Sequence, residues 1–230
     1  MHIDQLAQHL REQTTAFAAA VAGLAPDTRV PTCPDWRVRD LVGHIGQAPR
    51  WAAGVIRSGV AAPVPDPKEA EPGPPDEWAG WLREGAAELL DAVHDVGADT
   101  PVWTIVGTRP VRWWVRRLLA DLVVHHADAA FVAGAPYKVE PELAAETLDE
   151  GLALLSTPGV ATFQPGDGVI ALHAAEGHDW VLDGSPGVAD TTVTGTAQDL
   201  LLVVTRRLPV ERVEVAGDRA LFDRWLAYEI

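Results

Sequence analysis

Apolar residues in the first two thirds of the chain recur every three to four positions, the spacing of one helix face. From Ile3 to Val21 they fall at Ile3, Leu6, Ala7, Leu10, Phe17 and Val21, which predicts a first helix. A second is expected to begin at Asp35, an N-cap acceptor after Pro34, and to carry Val38, Leu41, Val42 and Ile45 before ending near Gly59. Residues 61–75, AAPVPDPKEAEPGPP, hold six prolines and predict an extended, exposed loop within the helical part. A third helix fits Asp76–Val96 through Trp78, Trp81, Leu82, Leu89 and Val93, and GADTPVWTIVGTRP reads as irregular. A fourth is expected over about Val111–Val132, stopping at Gly134 before Pro136, and a fifth over about 140–156.

After Pro158 the period shortens to two. GVIALHAAEG and HDWVLDG alternate across a short turn, as in a β-hairpin, and DTTVTG predicts a third strand. Residues 196–207, TAQDLLLVVTRR, read as a helix or a buried apolar run, VERVEVAG as a strand, and DRALFDRWLAYE as a closing amphipathic helix. The fold class expected is mainly α followed by α+β. A helical bundle over 1–157 precedes a small domain over 158–230 whose sheet is mostly antiparallel.

At 230 residues the chain can bury a sizeable core. Its 18 basic against 33 acidic residues give a net charge of −15, which argues against nucleic acid and anionic membrane surfaces as partners. No apolar run reaches the roughly 18–20 residues that span a bilayer. The start, MHIDQLAQHLREQ, lacks the basic-then-apolar pattern of an export signal. Cys33 is the single cysteine, so no internal disulfide can form, and a cytoplasmic location is expected.

Within the fourth helix Asp121 and His125 lie four residues apart, stacked on one face that Trp114 and Leu118 continue. A carboxylate and an imidazole on an apolar ridge need a partner or a cation. Two readings stand side by side: the pair bonds internally and specifies packing, or it supplies two ligands to a divalent metal. His44, on the ridge of Leu41 and Ala48, is a candidate third ligand from the second helix. Two histidines and a carboxylate leave one tetrahedral position open, as catalytic zinc requires. Cys33 reads as a small packing residue or as a thiol activated at a helix entrance. The arginines of RPVRWWVRRLL read as a solvated helix face. His2, His9, His94, His173 and His178 have no partner at a meaningful spacing and read as surface or turn residues. Candidate substrate contacts are Trp114, as a pocket wall, and Arg206 or Arg207, as anchors for an anion.

The segment VPTCPDWRVRDLVGHIG resembles the signature of the mycothiol-dependent maleylpyruvate isomerase family, within the DinB-like metal-binding four-helix bundles. Cys33, Pro34, Trp36, Asp40, Leu41 and His44 match its Cys-Pro-x-Trp-x-x-x-Asp-Leu-x-x-His. DLVVHHADAA resembles the family's Glu-x-x-x-His-Arg-x-Asp-Ala, with Asp121, His125, Asp128 and Ala129 in register. The stretch from VTGTAQDLLL to the end is similar to the sterol-carrier-like domain that follows the bundle in these proteins. The resemblance implies metal ligands at His44, Asp121 and His125. It departs from the pattern in an aspartate, one methylene shorter, where glutamate is usual, and in His126 where arginine is usual. His126, one residue on, points about 100° away from His125 and reads as a neighbour rather than a ligand.

The resemblance also implies a divalent metal, zinc by preference, and a low-molecular-weight thiol, mycothiol, that adds to a small electrophilic substrate. Isomerase and S-transferase chemistry are equally natural outcomes. A non-catalytic small-molecule binding protein and a metal-dependent hydrolase are the alternatives, and the chain is expected to be a monomer or homodimer.

Overall fold

The computed structural model describes residues 1–157, 168–182 and 188–227. The change of period after Pro158 and the last residues of HDWVLDG and DRALFDRWLAYE fall outside them. The chain forms two compact units, Met1–Tyr137 and Lys138–Ile230.

The N-terminal unit is built on four helices: α1 (Ile3–Val21), α2 (Val38–Ser58), α3 (Trp78–Val96) and α4 (Arg112–Ala133). Their packing follows the ring α1–α3–α2–α4, with α2 seated most closely on α3 and α1 on α4. The apolar ridges predicted from spacing meet in its centre. Leu10 and Phe17 of α1, Leu41 and Ile56 of α2, Leu82 and Leu89 of α3 and Trp114 and Leu119 of α4 are all buried. α4 is buried on more than one face, because it packs against both α1 and α2.

The start of α2 corrects the expectation of an N-cap at Asp35. Residues Cys33–Arg37 form a short strand, β2, antiparallel to β1 (Arg29–Val30). Pro34 lacks an N–H and favours extended backbone before it, so the helix is delayed to Val38. Asp40 then reaches back, its Oδ2 accepting from the Arg37 N–H at 2.8 Å. The N–H groups of Val38 and Arg39 donate to the Thr28 and Pro26 carbonyls at 2.9 and 3.0 Å. These bonds satisfy donors that a helix start leaves without partners.

Two connections depart from expectation. GADTPVWTIVGTRP is a hairpin, β3 (Pro101–Thr104) antiparallel to β4 (Gly107–Pro110), with Gly107 at φ +90° in its turn. Its alternation was masked by two prolines and a run of only four residues per strand. The proline-rich loop is largely exposed as expected, but one 3₁₀ turn at Pro67–Glu69 lies against α2. The Gln47 side chain donates there to the Asp66 carbonyl at 3.0 Å.

The α2–α3 seam depends on a missing side chain. A Cβ at Gly46 would overlap the Trp81 ring, and one at Gly85 would lie 2.7 Å from the Gly46 carbonyl oxygen. Arg50 closes this seam: its guanidinium lies 4.7 Å from the Trp81 ring centre and donates to the Gly46 and Trp81 carbonyls at 2.7 and 2.8 Å. Gly46→Ala is therefore expected to destabilise the protein despite alanine's better helix propensity. Overpacking costs about 1–3 kcal/mol, against about 1 kcal/mol gained from replacing glycine in a helix. Urea unfolding checks this, and equal or greater stability would refute the close approach.

The C-terminal unit contains α5 (Pro141–Leu155), α6 (Ala197–Val204), α7 (Arg219–Ala227) and a four-stranded sheet. The sheet comprises β5 (Ile170–Ala174), β6 (Asp179–Val181), β7 (Thr191–Gly195) and β8 (Glu214–Gly217), in the order β6–β5–β7–β8. Only β5 and β7 are parallel, so the sheet is mostly antiparallel. Val210–Arg212, expected as strand, is a 3₁₀ turn leading into β8. The division between the units lies at Tyr137 and Lys138, where 157 and 158 were expected. The fifth helix packs on α6 within the C-terminal unit. Periodicity shows that a helix has an apolar face, not which partner covers it. His173 and His178 do have carboxylate partners here, Asp179 at 2.5 Å opposite it on the neighbouring strand and Glu142 at 3.2 Å.

Candidate metal centre

The unusual chemistry of the N-terminal unit lies where α2 meets α4. α2 contributes His44 and α4 contributes Asp121 and His125, and their ligand-capable atoms all lie within 4.8 Å of one another. His44 Nε2 is 2.7 Å from Asp121 Oδ2. The imidazoles of His44 and His125 stand nearly perpendicular, 5.0 Å between ring centres. The two stretches singled out in the sequence thus converge.

Asp121 has both oxygens engaged, because Arg117, one turn earlier on α4, donates to Oδ1 at 2.9 Å. Burial pushes this carboxyl upward, but His44, Arg117 and His125 outweigh it and hold Asp121 well below the usual carboxylate range. Arg117 corrects the reading of its segment as a solvated face. Its side chain is only 18% exposed, and the signal for its role was its position four residues before Asp121.

His125 is held from behind. Its Nδ1 lies 2.7 Å from Oδ2 of Asp128, whose carboxylate is fully buried. Oδ1 of Asp128 accepts from the Thr32 hydroxyl at 2.6 Å, and Cys33 Sγ lies 3.6 Å from Oδ2. Cys33 is therefore half-buried beside a carboxylate rather than a plain packing residue. From the same strand, Trp36 stacks on His125 with ring centres 5.4 Å apart and tilts over His44 at 5.0 Å. The β1–β2 hairpin thus touches both histidines. Trp36 and Asp128 lie within the motifs, which assign neither a role, and Thr32 carries no sequence signal because its partner is 96 residues away.

His126 turns away, as its position on the helix requires. It pairs with Gln13 of α1 at 3.0 Å, and burial lowers its pKa. The Tyr137 hydroxyl donates to the Val123 carbonyl at 2.8 Å, and burial together with the charge of Asp128 raises its pKa. Trp114, the candidate pocket wall, is buried among Trp51, Trp103 and Trp113, and its indole N–H donates to the Trp103 carbonyl at 3.2 Å. A narrow, mainly apolar crevice bordered by Leu10, Ile45, Leu82, Leu118 and Asp121 does not include Trp114 in its walls. Arg206 and Arg207 belong to the C-terminal unit. Arg206 has a left-handed backbone and donates through Nε to the Leu226 carbonyl at 2.6 Å, and Arg207 donates to the Thr205 carbonyl at 2.7 Å.

The donor set suits a borderline-soft divalent cation. Imidazole nitrogen and carboxylate oxygen are both zinc ligands, and three protein ligands leave a fourth position free. The lone pairs of His44 Nε2 and Asp121 Oδ2 that share a proton across 2.7 Å can share a cation instead. On these grounds the residues present fit the metal that the motif resemblance implies.

Among the described residues no helix is long and apolar enough to cross a membrane. A helical bundle carrying two histidines and a carboxylate across one seam, in a chain that also holds a small α+β unit, defines the class. Residues 7–130 match the family model described as the mycothiol maleylpyruvate isomerase N-terminal domain, and the chain belongs to that family. The crystal structure of the mycothiol-dependent maleylpyruvate isomerase superposes with a TM-score of 0.72 at 15% identity, covering 94% of this chain and 93% of that one. A histidine-to-alanine mutant of that protein gives 0.71 at 14% identity, with the same coverage. These likenesses show a shared fold, mainly α followed by α+β. Two uncharacterized proteins of Mycobacterium tuberculosis, from strains CDC 1551 / Oshkosh and ATCC 25618 / H37Rv, are each 28% identical over 160 residues, which is 66% of this chain and 80% of theirs.

Proposed function

We propose that the protein is a metal- and thiol-dependent enzyme, an isomerase or S-transferase, with zinc held by His44, Asp121 and His125. The observation that carries this reading is the convergence of two imidazoles and one carboxylate from two helices within 4.8 Å. Family membership supplies the thiol, mycothiol, and a small electrophilic substrate by analogy. A zinc ion with an open position acts as a Lewis acid and favours the ionised form of a thiol.

The chain's own residues do the rest. His44 and His125 present nitrogen donors from α2 and α4, and Asp121 offsets the cation's charge. Trp36 packs against the two rings from one side. The cosubstrate thiol, as thiolate, adds to an electrophilic double bond, forming a carbon–sulfur bond while the π pair moves onto the activating group. In an isomerase the resulting single bond rotates and the thiolate leaves with its electron pair. In a transferase the adduct takes up a proton and is released.

The test is metal analysis of protein purified without chelator, followed by turnover of a cis-unsaturated α-keto acid with and without mycothiol. One divalent ion per chain and thiol-dependent loss of substrate are expected. Absence of a stoichiometric ion removes the catalytic reading. Thiol-independent turnover points to a hydrolase. A second reading has one observation in its favour: Asp121, shorter than the usual glutamate, already has Arg117 on one oxygen and His44 on the other. Metal binding without turnover of any electrophile would identify a small-molecule binding protein on the same bundle.

A further inference from the structure

Asp128 is the most completely buried carboxylate near the histidines, and the proposed reaction uses no atom of it. A carboxyl buried this completely is stable only where hydrogen-bond partners surround it. Its partners include the Thr32 hydroxyl on Oδ1 and, on Oδ2, His125 Nδ1 with the Cys33 thiol nearby. The Asp128 carboxylate, 2.7 Å away, occupies His125 Nδ1. That leaves Nε2, on the opposite side of the ring, as the nitrogen open to a cation.

We infer that Asp128 is a positioning residue, which with Thr32 locks His125 in its Nδ1–H tautomer and presents Nε2 to the metal. The inference rests on the metal reading proposed above. Thr32 carries the constraint further. It belongs to the turn between β1 and β2, whose second strand leads directly into α2, the helix of His44. The hydrogen bond from Thr32 to Asp128 therefore ties the entry of α2 to the orientation of a ligand on α4. Trp36, stacked on His125 and tilted over His44 from that same strand, fixes the ring planes while Asp128 fixes the tautomer. Outer partners of this kind typically alter metal affinity by about 10- to 100-fold.

The test uses the full-length protein and two measurements. In the metal-free wild type, nitrogen-15 NMR of the histidines at alkaline pH should show His125 as the Nδ1–H tautomer. In Asp128→Asn the amide offers a donor as well as an acceptor, so the Nε2–H form should appear. Zinc affinity, measured by competition with a chromophoric chelator, should fall about 10- to 100-fold in Asp128→Asn. In Thr32→Val, which removes only the hydroxyl donor, it should fall by about threefold or more. His125 found as the Nε2–H tautomer in the wild type overturns the inference, as does a folded Asp128→Asn protein that keeps wild-type zinc affinity. If Asp128→Asn does not fold, unchanged zinc affinity in Thr32→Val overturns it equally. Should the wild type bind no zinc, the proposed function falls, and the NMR measurement still decides what Asp128 does to His125.

Discussion

Zinc binding by His125→Ala is expected to be weaker than that of the wild type by at least a hundredfold, with the bundle still folded. Total affinities of about 10–16 kcal/mol at four-ligand structural zinc sites correspond to about 3 kcal/mol per protein ligand, or roughly two orders of magnitude. The fold should survive, because His125, although buried, packs against Asp128, Trp36 and His44 rather than an aliphatic core cluster. Its loss, however, leaves the buried Asp128 carboxyl short of one hydrogen-bond partner, so a lower melting temperature is expected as well. Equilibrium dialysis against zinc with circular dichroism of the same samples separates the two effects. Undiminished binding of one zinc per chain would exclude His125 as a ligand. His44→Ala should weaken zinc similarly, with a smaller stability cost, because its partner Asp121 retains Arg117.

The second large effect belongs to the core. Phe17 of α1 is fully buried, and α1 packs chiefly on α4, the helix that bears two of the three candidate ligands. Phe17→Ala removes a ring from a close-packed interior and should cost about 3–5 kcal/mol. That is a large share of the 5–15 kcal/mol typical of a domain. Denaturant unfolding followed by far-ultraviolet circular dichroism reads it directly. A loss below about 1 kcal/mol would mean that α1 does not fill the centre of the bundle as described.

The elements best read from sequence were those whose apolar residues repeat over several turns. Spacing predicts the first helix at Ile3–Val21, where the structure has it, because Leu6, Leu10, Phe17 and Val21 all face inward. Short elements escaped. Four residues such as PVWT give too few repeats to separate a strand from an irregular run. The start of α2 differs from the expected one because an aspartate after a proline suggests a cap. The capping carboxylate is in fact Asp40, which acts backwards from the first turn. The same division runs through the site. Asp121 and His125 could be paired from their spacing on one helix, since i and i+4 share a face wherever the helix lies. Thr32 and Asp128 could not, because the bond between them spans 96 residues and exists only after the chain has folded.

Two of the three candidate donors ride on one rigid rod and the third on its neighbour, so their mutual spacing gauges a single interhelical distance. A slide of one rod past the other by one turn, about 5.4 Å, would carry the imidazole of α2 out of reach of its counterparts. The wedge of Gly46 against Trp81, two residues beyond His44, pins α2 lengthwise against α3. Chemistry at this centre is accordingly sensitive to steric fit at a contact it never touches. A substitution at Gly46 that shifts α2 would therefore part the donors while leaving all three donor residues in the sequence.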